Sequence, residues 1–371
     1  MCFYSPVSYV LPALAIKLIA RPHEPGRSYI IEAFYAARLA NLILMALAVR
    51  TFLVGVPGFR NLTLILYSLP TAIQQTVSIN QESTIFALMF AMLILWWRTP
   101  SNKQLALLLI PIGLLMAVKI IYGLMFVLWL CGLVRLWTRE GNRPVWWLFM
   151  LPVIPLYLAY RWNRMGAHWT YSYLLPGANP DIQMAQLREH PAKLFMLFGE
   201  QFLDLLGRGH LTGGWTTVVG VLGWADFEIG NYAYALFGLA VLAAIFADLL
   251  SGRPMLSPVK RAWIDLVFSR ILPILSVFAL VPAFGLVLYL IFTGVGGDRI
   301  VGVVGRFLHF PYFVALIFGL DWIKHARGTA IGPQSGAMAR VSHILGICCV
   351  ISCVFALGLS VHQILSVYWL S

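Results

Sequence analysis

Residues 294–311 read G-V-G-G-D-R-I-V-G-V-V-G-R-F-L-H-F-P and lie between two long apolar runs. Five glycines let this stretch turn tightly and bring its backbone close to a ligand. Arg299 and Arg306 each offer a guanidinium group that can bind a phosphate through paired hydrogen bonds. A plain connector with arginines anchored at a membrane surface would show the same pattern. In both interpretations the stretch is a charged interruption at a membrane boundary, which predicts transmembrane helices on either side.

The composition excludes a soluble globular protein. Of the 371 residues, 60% are hydrophobic and only 11% are charged, so polar side chains cannot cover a water-exposed surface. The net charge of +12 does not indicate nucleic-acid binding, because the basic residues stand singly between apolar runs. We expect an all-α fold, a polytopic transmembrane helix bundle that forms a single domain over residues 1–371.

Metal and disulfide chemistry are not expected. Four of the five cysteines lie inside apolar runs, and none has a histidine at the spacing of zinc ligands. His168 and His210 stand apart from cysteines and from paired acids. The sequence therefore predicts no metal and no cofactor.

About ten apolar runs approach the roughly 20 residues that a perpendicular transmembrane helix needs. The first 20 residues carry Pro6, Pro12 and Lys17, which favours a short helix on the membrane surface over a span. The predicted spans are residues 30–52, 62–78, 83–98, 104–118, 120–138, 145–161, 231–250, 271–293, 307–323 and 341–360.

Lysine and arginine are concentrated in alternate connections, such as those that carry Arg50 and Arg60 or Arg98 and Lys103. Because short cytoplasmic loops retain positive charge, we place these connections inside and both chain ends outside. The outer side then holds the turn at residues 78–83, the Lys119 turn, the extended segment 162–230 and the loop 294–311. Within the extended segment, residues 190–206 have apolar side chains at helical spacing with charges opposite, which predicts an amphipathic surface helix.

Four motifs occur in order over nearly the whole chain. They are Y-S-P-V-S-Y-V-L-P at residues 4–12, S-I-N-Q-E-S at 78–83, G-V-L-G-W-A-D-F at 220–227 and V-G-R-F-L-H-F-P at 304–311, with Arg38, Asn41, Lys119 and Tyr122 between the first three. The ordered set resembles a bacterial membrane family of unknown function that is grouped with the GT-C glycosyltransferases. This resemblance implies a GT-C-like bundle in the bacterial cytoplasmic membrane, in contact with membrane lipids. It also implies transfer of a sugar from a polyprenyl-phosphate carrier to a cell-envelope or surface-polysaccharide acceptor outside.

The sequence departs from the GT-C pattern in two ways. GT-C enzymes generally carry an essential acid in the first outer loop, after a first transmembrane helix, and this chain begins after the place where both would lie. We expect either that this span and loop are missing from the sequence or that another acid has taken over. In addition, Phe307 stands where the family more often has tyrosine, which removes a hydroxyl donor.

Glycosyl transfer to a hydroxyl group needs a carboxylate that accepts a proton and cations that stabilise the departing phosphate. Glu82, Asp226 and Glu228 are the candidate catalytic acids. Glu82 could instead favour a helix N-terminus through the helix dipole. Asp226 and Glu228 follow Trp224, and an aromatic side chain beside an acid suits either a sugar or an ordinary membrane interface.

Lys119 interrupts an almost unbroken apolar stretch, where a central lysine costs about 3 kcal/mol. It should therefore face a cavity or a partner, unless it snorkels to the outer surface. Arg38 and Asn41 share one helix face, where a structural pairing of Arg38 with Glu32 is as good an explanation as ligand contact. The candidate substrate- and phosphate-binding residues are Arg306, Arg299, Lys119, Arg38, Tyr9, Tyr122 and Trp224.

One shared, water-filled cavity near the outer leaflet is expected to contain Arg306, Lys119 and Glu82. Each of these charges borders a different apolar helix, and a common cavity would hydrate and pair them. The alternative function is a non-catalytic transporter or assembly scaffold for lipid-linked glycans, or an inactive fragment. Matching halves with broken helices would favour a transporter, and the sequence shows no such matching pair.

Overall fold

The computed structural model describes residues 6–19, 27–98, 101–138, 144–170, 177–203, 214–222, 227–251, 264, 266–300, 309–328 and 336–368. Within these ranges the protein is helical apart from one small antiparallel pair, in which Val221–Leu222 lies beside Phe227–Glu228. The prediction of an all-helical membrane protein is confirmed at this level.

Helices follow one another along the described chain with short connections. They are α1 (Val10–Ile19), α2 (Arg27–Gly55), α3 (Arg60–Tyr67), α4 (Pro70–Val77), α5 (Glu82–Trp97), α6 (Asn102–Val118), α7 (Phe126–Trp137), α8 (Val153–Thr170), α9 (Pro180–Glu189), α10 (Pro191–Leu203), α11 (Gly214–Val219), α12 (Asn231–Ser251), α13 (Leu272–Phe278), α14 (Leu280–Phe292), α15 (His309–Gly328) and α16 (Gly336–Tyr368). Single turns of 3-10 helix at Pro6–Tyr9, Pro57–Phe59, Ile120–Met125 and Trp146–Phe149 and a π-helical turn at Val267–Ile271 complete the set.

Five helical segments in the described chain are long and apolar enough to cross a membrane, fewer than the ten or so that the sequence predicts. A sixth candidate is α4 together with α5, which are bent by 107° at a short break. The other predicted spans correspond to helices that are shorter or more polar. The five segments are Tyr29–Gly55, Ile120–Trp137, Asn231–Ser251, Val267–Phe292 and Met338–Ser366.

The predicted span at residues 62–78 is two helices and not one. Ser68 and Leu69 interrupt the helix, and Pro70 begins α4 at a position where its missing N–H costs nothing. At 1.5 Å per residue, α3 and α4 are each about 12 Å long, well short of the roughly 30 Å hydrocarbon core of a bilayer. The turn between α4 and α5 is therefore part of a broken or re-entrant element.

A buried ionic network holds the end of the bundle where α3 begins. Asp248 on α12 accepts hydrogen bonds from the backbone N–H groups of Asn61 and Leu62 at 3.2 and 2.8 Å, and so caps α3 from a neighbouring helix. Lys324 on α15 donates to the carbonyl of Gly58 at 2.6 Å. On the same helix as Lys324, Asp321 forms a fully buried ion pair with Arg270. Because these contacts join helices that are distant in sequence, they fix the frame that positions α3 to α5.

Two helices at the opposite end lie against α14. The Gln183 side chain on α9 donates to the carbonyls of Tyr289 and Thr293 at 3.0 and 2.8 Å. Helix α10 spans much of the predicted amphipathic segment 190–206, and its Lys193 donates to the carbonyl of Gly296 at 3.2 Å. Gly296 has a φ of +83°, which a side chain would make unfavourable. The start of the 294–311 stretch is thus held by the helices that pack over α14.

Candidate functional site

The turn at residues 78–83 is the most constrained polar feature of this end of the bundle. Asn80 accepts a hydrogen bond from the backbone N–H of Glu82 at 2.9 Å and donates to the side chain of Gln75 at 2.7 Å. The first contact satisfies an N–H group at the start of α5 that has no intrahelical partner. Glu82 is thereby held as the first residue of α5, directly after the sharp bend between α4 and α5, where it is buried.

Arg38 and Asn41 fasten this turn to α2. Arg38 Nε donates to the carbonyl of Val77 at 3.0 Å, and Asn41 Nδ2 donates to the carbonyl of Ser78 at 2.8 Å. The two side chains therefore share a helix face, as their spacing predicts, and both bind carbonyls at the end of α4. A cation at a helix C-terminus also interacts favourably with the helix dipole. The geometry gives Arg38 a positioning contact with the backbone in place of the suggested pairing with Glu32.

Glu82 forms a salt bridge with Lys119, whose Nζ lies 3.0 Å from Oε1. Glu82 is only 5% exposed, and the Lys119 side chain is 16% exposed. Lys119 stands where α6 ends in an extended residue, and its Nζ lies 5.7 Å from the centre of the Phe284 ring on α14. The structure thus brings together two of the three charges that the sequence assigns to a common site.

Tyr122 and His309 complete the surroundings of this pair. Tyr122 is 2% exposed, with its ring 5.7 Å from that of Phe284 and 5.0 Å from that of Phe310. The ring of His309 stacks on Phe86, one turn of α5 beyond Glu82. The carboxylate of Glu82 is close enough to act electrostatically on both Tyr122 and His309. These groups form what we call the Glu82 site: Glu82, Lys119, Tyr122 and His309.

His309 links the Glu82 site to the helices on either side. Its Nε2 lies 3.0 Å from Oγ1 of Thr71 on α4, and it also contacts the carbonyl of Val218 on α11. Thr71 in turn donates to the carbonyl of Val219 at 3.2 Å. Sequence reasoning did not select His309 or Thr71, although His309 is part of the V-G-R-F-L-H-F-P motif. The signal in the sequence that could have identified His309 is its position as a polar residue at the start of an apolar helix.

Several buried polar atoms around the turn have no hydrogen-bond partner within the described part of the chain. They include Oγ of Ser83, Oε1 of Gln81 and Oγ of Ser8. Ser8 belongs to the Pro6–Tyr9 turn, which is joined to α5 because Thr84 donates to the Ser8 carbonyl at 3.3 Å. Buried polar atoms are nearly always hydrogen-bonded in folded proteins. Polar atoms that are available for hydrogen bonds to a polar ligand therefore lie beside the Glu82 site.

The remaining predicted residues fall into two groups. Tyr9 lies in the turn that packs on α5 and α6, next to the Glu82 site, whereas Glu228 is exposed on the short strand pair and Arg299 is exposed on the connection after α14. Arg306, Asp226 and Trp224 lie outside the described residues. Across the described ranges, no group of three or more His, Cys, Asp or Glu side chains is arranged to hold a metal ion. The arrangement at Glu82 places a carboxylate that can accept a proton beside a cation.

Comparison with known proteins identifies the chain at the level of a family. No curated protein and no solved structure matches it. The profile of one family, described as predicted membrane proteins of the DUF2142 type, matches residues 1–320, which is most of the chain. The family has no assigned function. Its description as membrane proteins agrees with the long apolar helices of the structure. The chain therefore belongs to the DUF2142 family of predicted membrane proteins.

Proposed function

We propose that this protein is a GT-C-type glycosyltransferase that uses a polyprenyl-phosphate sugar as donor. The observation that carries the proposal is the buried salt bridge between Glu82 and Lys119 at the bend between α4 and α5. In such a pair the carboxylate can accept a proton from a hydroxyl group, and the ammonium group can stabilise negative charge beside it. The proposed donor and acceptor classes come from the four motifs that resemble those of the GT-C group.

In the proposed reaction, an acceptor hydroxyl attacks the anomeric carbon of the donor sugar. A bond forms between the hydroxyl oxygen and that carbon, and the bond from the carbon to the phosphate oxygen breaks with its electrons retained by the phosphate. Glu82 accepts the hydroxyl proton. Lys119, with Arg306 and Arg299 as further candidates, stabilises the negative charge on the departing polyprenyl phosphate. Asp226 and Glu228 remain candidate acids, and Tyr9, Tyr122 and Trp224 remain candidate contacts for the sugars.

The acceptor is a glycan of the cell envelope or a surface polysaccharide, and the reaction takes place outside the cytoplasmic membrane. The charge alternation along the sequence supports this side, because it places the 78–83 turn and Lys119 in the outer set of connections. The hydrogen-bonding atoms left unused around Ser83 and Gln81 are suited to the hydroxyl groups of a sugar.

Glu82→Gln tests the role of the carboxylate. Full-length protein in liposomes is given radiolabelled undecaprenyl-phosphate hexoses and a membrane glycan extract, and transferred label is measured. Loss of a general base is expected to lower the rate by about 10²- to 10⁴-fold. Glu189→Gln, which removes an exposed acid on α9, should transfer at the wild-type rate. A folded Glu82→Gln variant with wild-type transfer would refute the assignment of Glu82 as the base.

A non-catalytic transporter of lipid-linked glycans is the second candidate, and the 107° break between α4 and α5 favours it. Discontinuous helices form substrate sites in many transporters. The two functions differ in their product. A transporter would carry a fluorescent undecaprenyl-linked glycan from one leaflet of a liposome to the other without forming a new glycosidic bond. A transferase would form the bond in a detergent solution that has no leaflets.

A further inference from the structure

A lateral groove of about 580 Å³ runs between α2 and the α3–α4 pair. Its walls are mainly apolar, with Met45 and Val49 on α2 facing Leu64 and Ile73 on the other side. The lining extends along α2 from Leu42 to Val54, which is about 18 Å of helix. The volume is within the range of roughly 300 to 1,000 Å³ that is usual for small-molecule sites.

Two connections border the groove, one between α2 and α4 and one between α2 and α3. Arg38 binds the carbonyl of Val77 at one end, and the short Pro57–Phe59 turn joins α2 to α3 at the other. Between these two points the α3–α4 pair is interrupted at Ser68, and small side chains such as Ala46 and Thr76 line the gap. The groove lies between these two connections.

The rim of the groove is apolar and exposed. Leu42, Val54 and Leu64 line it and are 44%, 73% and 42% exposed. Exposed aliphatic side chains on a membrane helix contact lipid tails. A ligand can thus enter sideways from the bilayer without crossing water.

Two exposed arginines, Arg50 and Arg60, line the same end of the groove. The structure records no ion pair and no side-chain hydrogen bond for either guanidinium within the residues it describes. Two guanidinium groups beside an apolar slot match the chemistry of a lipid phosphate, and basic pockets between transmembrane helices bind anionic headgroups. Charge complementarity and the apolar walls point to the same kind of molecule.

We propose that this groove binds an anionic phospholipid, with the phosphate at Arg50 and Arg60 and one acyl chain along α2. The phosphate position at Arg50 and Arg60 lies toward the opposite end of α2 from Arg38 and Asn41, which hold the Glu82 site, so lipid binding there is separate from the proposed glycosyl transfer. It does not depend on which reaction, if any, occurs at Glu82. Zwitterionic phospholipids, whose headgroups carry a compensating cation, bind the same groove more weakly.

Binding of radiolabelled phosphatidylglycerol to the purified full-length protein in detergent tests the proposal. The double variant Arg50→Gln/Arg60→Gln is expected to bind at least tenfold more weakly than wild type. Ala46→Phe, which fills the groove from a lipid-facing position, should have the same effect without removing charge. Arg98→Gln is the matched control, since it removes one exposed arginine outside the groove. All variants are compared for monodispersity and melting temperature before binding is measured.

Three outcomes would overturn the proposal. The first is unchanged phosphatidylglycerol affinity in the double arginine variant, and the second is unchanged affinity in Ala46→Phe. The third is competition by inorganic phosphate, because that would make the arginines a site for a free anion. Phosphatidylcholine with the same chains should bind weakly to wild type and to all variants. A failure of glycosyl transfer would leave each of these measurements unaffected, so the two proposals can be separated.

Discussion

Glu82 and Lys119 are 37 residues apart in the chain and meet in a setting with little water. Their meeting could be expected from sequence, because each charge interrupts apolar sequence and isolated charges in a membrane are costly. The partner of Arg38 could not be predicted, because it is a backbone carbonyl at the end of α4, and every residue has a backbone carbonyl. His309 was missed for a related reason: its partners are a hydroxyl group and a carbonyl.

The buried pair should be sensitive to loss of either charge. Lys119→Met is expected to destabilise the protein by about 3 to 5 kcal/mol, because it leaves the Glu82 carboxylate buried without compensation. Adding Glu82→Gln should recover much of this loss, since the double variant contains no buried charge at this point. Thermal unfolding in detergent measures both effects, with Lys103→Met, on an exposed lysine, as the control. Equal melting temperatures for Lys119→Met and Lys103→Met would contradict a stabilising pair.

Among the helices, the packing of α10 on α14 depends on a close approach at Gly285. A Cβ atom at this position would lie 2.2 Å from Oε1 of Gln201 on α10. Gly285→Val should therefore displace the Gln201 side chain, loosen the packing of α10 on α14 and cost about 1 to 3 kcal/mol, as overpacked sites usually do. Gly319→Val on α15 is a suitable control, because a Cβ atom there meets nothing within 4 Å.

Spin labels at Lys193 and on α14 would report the distance between α10 and α14 in each variant. An unchanged distance in Gly285→Val, together with an unchanged melting temperature, would show that the contact at Gln201 does not hold α10. The amphipathic pattern of residues 190–206 was enough to predict this helix. It did not indicate that two polar residues, Gln183 on α9 and Gln201 on α10, would be buried against α14 together with Leu187 and Leu197.

The break within residues 62–78 shows why the number of spans was not predictable. Residues 62–78 contain enough leucine and isoleucine to suggest one span, yet they form two short helices on either side of Ser68. Whether they continue in one direction depends on tertiary contacts, namely the hydrogen bonds from Arg38 and Asn41 and the cap that Asp248 provides for α3. Those contacts come from helices elsewhere in the sequence.

For the whole molecule, the distribution of lysine and arginine predicts which end faces the cytoplasm. In a background without the five native cysteines, a cysteine at Ser101 should be protected from an impermeant maleimide in intact cells, because it lies in a positively charged connection. A cysteine at Asn179, an exposed residue before α9, should react. The reverse pattern would place the Glu82 site in the cytoplasm and would remove the support for an extracytoplasmic acceptor. Permeabilised cells, in which both positions should react, provide the control.

The sharp bend before α5 also limits the order in which a ribosome-bound chain can mature. Glu82 leaves the ribosome 37 residues before Lys119, the residue that neutralises it. Until α6 has been synthesised, the bend carries a carboxylate without its cation. An unpaired charge makes transfer of this segment from the translocon into lipid unfavourable. We expect the nascent chain to keep this hairpin beside the insertion machinery until Lys119 arrives. Ribosome-stalled intermediates that end shortly before and shortly after Lys119 should then differ in how readily they crosslink to the translocon.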